Sequence, residues 1–323
     1  MVDRADRSSR SGGSVPRDVT IVEVGPRDGL QNETAFVPTA EKIAFVNRLA
    51  DAGLTTIEVS AFVSPRWVPQ MADAAEVFAG ITRRPGVRYT ALVPNLQGLA
   101  RAREAQVDEI SVFPAASETF SRRNLNQSVR DAMTTVRGIC TEAQRTGMRV
   151  RAYLSVAFGC PFEGPVAPAR VADLSEQLIA FGAYEVAISD TIGIAHPGQV
   201  SELIDAVTAR IPRARVALHF HDTRGMALVN VYAGLEAGIS TFDASAGGLG
   251  GCPYAPGATG NLATEDLLYM LDGLGAATGA RIDEVATASR ALEPHIGHPL
   301  PSRVLRSRPV GRRAAESGAD PLS

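Results

Sequence analysis

The sequence predicts an α/β fold, a (βα)8 or TIM barrel with a short helical extension at its C-terminal end. Three observations carry this. Eight short β-branched runs alternate with longer amphipathic segments, 20–40 residues apart, and eight parallel strands are the number that closes on itself. The segments between the runs carry helix punctuation, with Pro or Asn at the start (Pro94-Asn95, Pro168, Pro197) and Gly at the end (Gly53, Gly147, Gly182, Gly238). No G-x-G-x-x-G follows the first run, which weighs against the alternative, an open doubly wound sheet.

In chain order the predicted strands are 20–24, 55–60, 88–93, 109–113, 149–156, 185–189, 215–220 and 241–245. Helical patterns fall near 39–52, 70–79, 95–106, 128–147, 168–182, 197–211, 226–238 and 264–274, with a further helix at 283–292. Residues 1–17 are Arg- and Ser-rich without an apolar core and read as a disordered tail. Residues 18–306 form the barrel domain with its helical extension. After Pro299 the chain turns Arg- and Pro-rich, and 307–323 read as a second disordered tail.

Bulk composition narrows the function. A chain of 323 residues, 45% hydrophobic, can bury one large core. A net charge of −3 offers no basic field for nucleic acid, and no apolar run reaches the ~18 residues that span a bilayer. Three cysteines without a C-x-x-C favour a reduced, cytoplasmic setting. Lys42 is the single lysine against 31 arginines, and it lies in a helix away from any strand end. Schiff-base chemistry therefore lacks a candidate, and carbon–carbon chemistry would need a metal.

Barrel active sites stand at the C-terminal strand ends. There the sequence places Gly25-Pro26-Arg27-Asp28-Gly29, Glu58, Ser189-Asp190-Thr191 and Leu218-His219-Phe220-His221-Asp222. His219 and His221, two apart on a strand, face one way into the barrel and read as metal ligands. Asp28 can add a carboxylate and Asn261 an amide oxygen, a set suited to Mg²⁺ or Mn²⁺ before Zn²⁺. Asp222 reads as a group behind the ligands or a helix cap. Arg27 can neutralise an oxyanion, or else pair with Glu23 or Glu58. Glu58 and Asp190, acids in apolar strands, are general-base candidates. The last strand leads into GLGGCPYAPGATGN (248–261), a Gly-rich loop able to carry Cys252 over a substrate. Cys140 reads as core, and Cys160 lies at the active-site end without an activating neighbour.

The motifs VEVGPRDGLQNE (22–33), AFVSPRWVPQM (61–71), GCPFEG (159–164), SDTIG (189–193), HFHD (219–222) and GLGGCPYAPGATGNLATEDLLYML (248–271) resemble 3-hydroxy-3-methylglutaryl-CoA lyases. The similarity covers roughly 19–275, and the cysteine loop sets these lyases apart from condensing synthases of the same barrel group. The resemblance implies metal ligands Asp28, His219, His221 and Asn261, an essential Arg27, active-site Glu58 and Asp190, and a catalytic Cys252. It implies an acyl-CoA substrate, a divalent cation with no organic cofactor, and a homodimer. The reaction implied is a retro-Claisen cleavage giving acetyl-CoA and a 3-oxo acid. Asp190 or His219 takes the hydroxyl proton, Arg27 stabilises the enolate, and Cys252 returns a proton.

Three departures from the family pattern bear on the substrate. Ala61 stands where a serine is usual, Ala187-Ile188-Ser189-Asp190-Thr191 where SLGDT is usual, and Arg224, Met226 and Val229 within HDTYGQALAN. The two alanines are expected to leave a larger, more apolar acyl pocket that favours a longer 3-substituent, with Arg224 as a replacement carboxylate contact. The alternatives to this lyase reading are a Claisen-type synthase or aldolase of the same group, and a non-catalytic metal- or CoA-binding barrel.

Overall fold

The computed structural model describes residues 15–251 and 260–307. The strands are β1 (Thr20–Glu23), β2 (Thr56–Ala61), β3 (Arg88–Leu92), β4 (Glu109–Val112), β5 (Arg149–Leu154), β6 (Glu185–Asp190), β7 (Val216–Phe220) and β8 (Thr241–Ala244). All neighbouring pairs are parallel, and β8 pairs with β1, so the sheet is a closed barrel in sequence order. The (βα)8 expectation holds.

Helices α1 (Thr39–Asp51), α2 (Ala74–Gly80), α3 (Leu96–Glu104), α5 (Val129–Arg145), α6 (Pro168–Phe181), α7 (Pro197–Thr208), α8 (Ala227–Glu236) and α9 (Thr264–Leu274) return the chain between strands or follow the last one. Local signals start and stop them. Asn95 accepts from the Gly98 amide at 2.9 Å to open α3, and α6 ends on Gly182 at φ 113°, a left-handed position that glycine adopts without strain. Their apolar faces and the strands bury one continuous core that includes Phe45, Ile57, Val136, Val171, Val200, Leu218 and Phe242.

Three elements differ from expectation. The helix predicted over 70–79 starts at Ala74, behind a 3₁₀ turn at Pro69–Met71. Helix α4 (Glu118–Leu125) was not predicted, because its strongly polar run buries only Phe120 and Ser121 and so has no helical stripe to read. Beyond Pro299 the chain does not leave the domain at once. After α10 (Ile282–Arg290) and α11 (Glu293–Ile296), the helix α12 (Arg303–Ser307) docks near α9. Asp266 of α9 holds it, accepting from the amides of Arg303 (3.1 Å) and Val304 (2.8 Å) and from the Ser302 hydroxyl (2.7 Å). Among the described residues no helix is long and apolar enough to cross a membrane.

Lys42 is a buried strut. Its ammonium donates to Asp73 at 2.8 Å and to the Gln70 carbonyl at 2.5 Å, and it sits 4.6 Å from the Phe36 ring centroid. Lys42→Met leaves Asp73 as an unpaired buried charge, so urea denaturation should show a loss of about 3–5 kcal/mol. The double variant Lys42→Met/Asp73→Leu should recover most of it. An unchanged midpoint in the single variant would remove this pair from the account of stability.

Candidate active site

The chain turns sharply at the end of β1. The amides of Arg27, Asp28 and Gly29 all donate to the Val24 carbonyl, winding Gly25–Gly29 into one wide π turn that presents Arg27 and Asp28 to the barrel mouth. Both line a cavity of about 650 Å³, together with Tyr153, Ser189, His219 and His221. His219 lies within β7 and His221 one residue past its end, so the alternation of a strand turns both imidazoles to this cavity, their ring centroids 5.2 Å apart. Across the strand pairs, His219 stands opposite Ser189 of β6 and Asp243 of β8.

Asp28, His219 and His221 each offer one ligand atom, and these atoms all lie within 4.8 Å of one another. Asn261 reaches them from the other side. Its Nδ2 donates to Asp28 Oδ2 at 2.8 Å and to the Leu249 carbonyl at 3.1 Å. Its Oδ1, like Nδ1 of His221, is buried without a hydrogen-bond partner among the described residues. Buried polar atoms are seldom left unsatisfied. Two of them beside an ionised carboxylate and a second imidazole fit a divalent cation with nitrogen and oxygen donors.

Electrostatics prepares these donors. Burial and the neighbouring His219 push the His221 pKa down to about 4, so its ring is neutral at neutral pH. Burial alone would raise the Asp28 carboxyl, but Arg27 and the two imidazoles outweigh it and hold its pKa near 2. His219 is oriented from behind, since its Nδ1 bonds Asp243 Oδ2 at 3.1 Å and leaves Nε2 for the cavity. Arg151 grips the same carboxylate through two nitrogens at 2.7 and 3.2 Å. Burial raises the Asp243 carboxyl, while Arg151 and His219 together draw it below the usual range.

Arg27 is buried and paired, though not with Glu23. Its Nε donates to Glu58 Oε2 at 2.5 Å and its Nη1 to Asp28 Oδ1 at 2.6 Å. Glu58 also accepts from the Ser111 hydroxyl and does not line the cavity. Asp190 does not line it either. Its two oxygens accept from the amides of Ile194 (3.0 Å) and Ala195 (2.9 Å), and burial holds its pKa above the ordinary value against those bonds. Asp222 caps α8 by accepting from the Ala227 amide at 3.0 Å. Cys252 lies outside the described residues. Gly251 before it lines the cavity, and its carbonyl accepts from Asn32 at 2.7 Å. Cys140 and Cys160 are free and buried, Cys140 in the main core and Cys160 in a small cluster with Ala115, Phe120 and Val156.

The expected roles of Ala61, Ala187 and Arg224 are not supported. Ala61 and Ala187 are buried in the core and absent from the cavity wall, where Ser189, two residues on from Ala187, faces instead. Arg224 donates to the carbonyls of Ile192 (3.1 Å) and Gly193 (2.9 Å) and is likewise absent from the wall. Sequence reasoning missed Tyr153, Arg151 and Asp243. A charge within an apolar strand was the signal for Arg151 and Asp243, read at Glu58 but not at these two, and the uncharged Tyr153 gave no such signal.

A barrel whose C-terminal mouth gathers Asp28, His219, His221 and Asn261 beside a buried arginine belongs with metal-assisted barrel enzymes. The HMGL-like family model matches residues 18–292, and the chain belongs to that family. A Bacillus subtilis relative, hydroxymethylglutaryl-CoA lyase, is 48% identical over 90% of this chain and 97% of its own length. A Pseudomonas aeruginosa relative, 3-hydroxy-3-isohexenylglutaryl-CoA/hydroxy-methylglutaryl-CoA lyase, is 50% identical over 91% of this chain and 98% of its own. The crystal structure of hydroxymethylglutaryl-CoA lyase from Pseudomonas aeruginosa superposes with a TM-score of 0.89 at 50% identity, covering 91% of this chain and 98% of that one.

Proposed function

We infer that this protein is a divalent-metal-dependent carbon–carbon lyase that cleaves 3-hydroxy-3-methylglutaryl-CoA to acetyl-CoA and acetoacetate. The observation that carries the reading is the Asp28–His219–His221 cluster at the mouth of the cavity, in a chain about half identical to hydroxymethylglutaryl-CoA lyases. An HMG-CoA lyase structure in complex with coenzyme A and 3-methylmalate, 38% identical with a TM-score of 0.87, supports an acyl-CoA in such a cavity. Asp28, His219, His221 and Asn261 would hold Mg²⁺ or Mn²⁺, with Zn²⁺ less suited to an oxygen-containing set that keeps positions open. Such an ion supplies Lewis acidity that lowers the pKa of a bound hydroxyl. Cys140 and Cys160 are both free, in keeping with a cytoplasmic setting.

The residues divide the remaining work. His219 is the base candidate that lines the cavity, whereas Asp190 is turned to backbone amides. Asp243 holds Nδ1, so the tertiary hydroxyl proton goes to Nε2. A ligated Nε2 has no free lone pair, so for His219 to serve as the base Asp28, His221 and Asn261 would have to hold the ion without it. As the hydroxyl oxygen becomes a ketone, the C2–C3 bond breaks and its electron pair forms the acetyl-CoA enolate. Arg27 lines the cavity with Nε and Nη1 committed to Glu58 and Asp28, and its guanidinium charge stabilises the enolate oxygen. Glu58 fixes the guanidinium. Cys252 delivers a proton to C2 to complete acetyl-CoA.

Cys252→Ala should lower kcat by about 10² or more with little change in KM, as for a general acid. Alkylation should label Cys252 faster than the buried Cys140, whose thiol burial pushes up to about 11, and substrate should protect it. Near-wild-type kcat with equal labelling would remove Cys252 from the mechanism.

A second substrate is favoured by one observation. Val63, Leu92, Pro94, Phe113 and Phe120 form an apolar wall of the cavity, and the Pseudomonas aeruginosa relative is named for an isohexenylglutaryl thioester as well. An apolar wall accepts added methylenes at a cost of only about 1–3 kcal/mol each way. Acetyl-CoA formation measured across 3-alkyl and 3-alkenyl homologues should show turnover beyond the methyl compound. Strict methyl specificity would exclude this reading.

A further inference from the structure

One carboxylate does not face the cavity, yet joins three segments that build it. Glu23, the last residue of β1, is fully buried. Its Oε1 accepts from the amides of Gly25 at 2.7 Å and Ala246 at 2.8 Å, and its Oε2 accepts from the Thr264 hydroxyl at 2.6 Å. Gly25 opens the turn that carries Arg27 and Asp28. Ala246 follows β8, and Thr264 begins α9 three residues after Asn261. The last two segments are themselves laced, because the Ser245 amide donates to the Leu262 carbonyl at 2.9 Å and the Thr264 amide to the Ser245 carbonyl at 3.0 Å.

An apolar residue would fill this space without desolvating a charge. Burial raises the Glu23 carboxyl to about 7, against the pull of its three donors. The surroundings are also shaped to admit it, since a Cβ on Gly25 would stand 2.6 Å from Glu23 Oε1. A second buried carboxylate gives the contrast. Glu265 accepts from the Gly247 amide at 2.8 and 3.0 Å and from the Ser289 hydroxyl at 2.5 Å. It secures the same turn after β8, but none of these bonds touches the Asp28 turn.

We propose that Glu23 is a positioning residue that sets Asp28 against Asn261 and thereby sets the affinity of the metal site. The inference rests on the ligand set proposed above. The Asn261–Asp28 hydrogen bond of 2.8 Å is the contact that this clamp keeps in register. Residues that orient ligands from behind commonly change metal affinity about 10–100-fold when replaced.

The test is titration of the metal-free full-length protein with Mn²⁺, followed by electron paramagnetic resonance of the free ion, with circular dichroism to establish folding. Glu23→Gln keeps the volume and an oxygen for the two amides but sets an NH2 donor against the Thr264 hydroxyl that now donates to Oε2, and Gly25→Ala displaces the carboxylate without removing it. Both should raise the Mn²⁺ Kd by about 10-fold or more. Glu265→Gln should lower Tm and leave Kd unchanged, and His221→Ala should abolish binding. If Glu23→Gln fails to fold, Thr264→Val, which removes a single donor, should still weaken Mn²⁺ measurably. Wild-type Kd in folded Glu23→Gln and Gly25→Ala, with binding lost in His221→Ala, overturns the positioning role alone. Wild-type binding in His221→Ala overturns the ligand set and this inference with it.

Discussion

Chelation with EDTA is expected to reduce turnover to about one-thousandth or less, and Mn²⁺ or Mg²⁺ to restore it. A Lewis acid at a developing alkoxide contributes several kcal/mol, and each 1.36 kcal/mol is a factor of ten in rate. The donors at stake are the Asp28 carboxylate, the neutral His221 ring, Nε2 of His219 and Oδ1 of Asn261, which has no partner among the described residues. His219→Ala and His221→Ala should lose bound metal and turnover together, measured by elemental analysis and acetyl-CoA formation on the same samples. Full activity in EDTA, with folded His221→Ala still active, would remove the metal from the reaction.

Replacing Arg27 is expected to have the next largest effect. Arg27→Gln should lower kcat by about 10²–10³, the usual cost of losing one donor to a developing oxyanion, while KM moves little. Arg27→Lys should recover only part of this, because an ammonium cannot hold Glu58 and Asp28 in the planar fork that the guanidinium uses. The substitution also strands Glu58, whose side chain is almost wholly buried. A loss of stability is therefore expected in Arg27→Gln and should be relieved in Arg27→Gln/Glu58→Gln. Activity should not return in the double variant. If it does, Arg27 acts only by neutralising Glu58.

The strands were legible because each is a short β-branched run bounded by turn residues, and Thr20–Glu23 through Thr241–Ala244 fall within a residue or two of their predicted bounds. The short polar helix α4 was not, since only Phe120 and Ser121 are buried along it. The motif residues His219 and His221 were legible for a geometric reason. A spacing of two on a strand fixes a shared face whatever the rest of the fold does.

Spacing says nothing about side chains that meet across the barrel. Arg151 and Asp243 are 92 positions apart, and their pairing under His219 follows only from closure of β8 on β1 and the depth at which each side chain stands. Departures from a family pattern were misleading for the same reason. Ala61 and Ala187 were read as pocket residues by position, but both lie in the core; Ala187 shares the face of Ser189, two residues on in β6, and stands deeper in the barrel, leaving Ser189 at the wall. Nor could the sequence distinguish a base from a buttress at Asp190. Its two oxygens are taken by the amides of Ile194 and Ala195, backbone groups whose direction is set by the loop after β6.

By itself, then, the sequence determined the alternation of strands and helices, the barrel they close, and the strand ends that carry Arg27, Asp28, His219 and His221. Those features rest on local periodicity and chain connectivity. Only the tertiary structure decided which buried charges face each other. Glu23 reaches Thr264, Glu58 reaches Arg27, and Asp243 stands between Arg151 and His219. Such partners lie tens to hundreds of residues apart, and in a low-dielectric interior their few-ångström placement determines which group is charged and which is free to act.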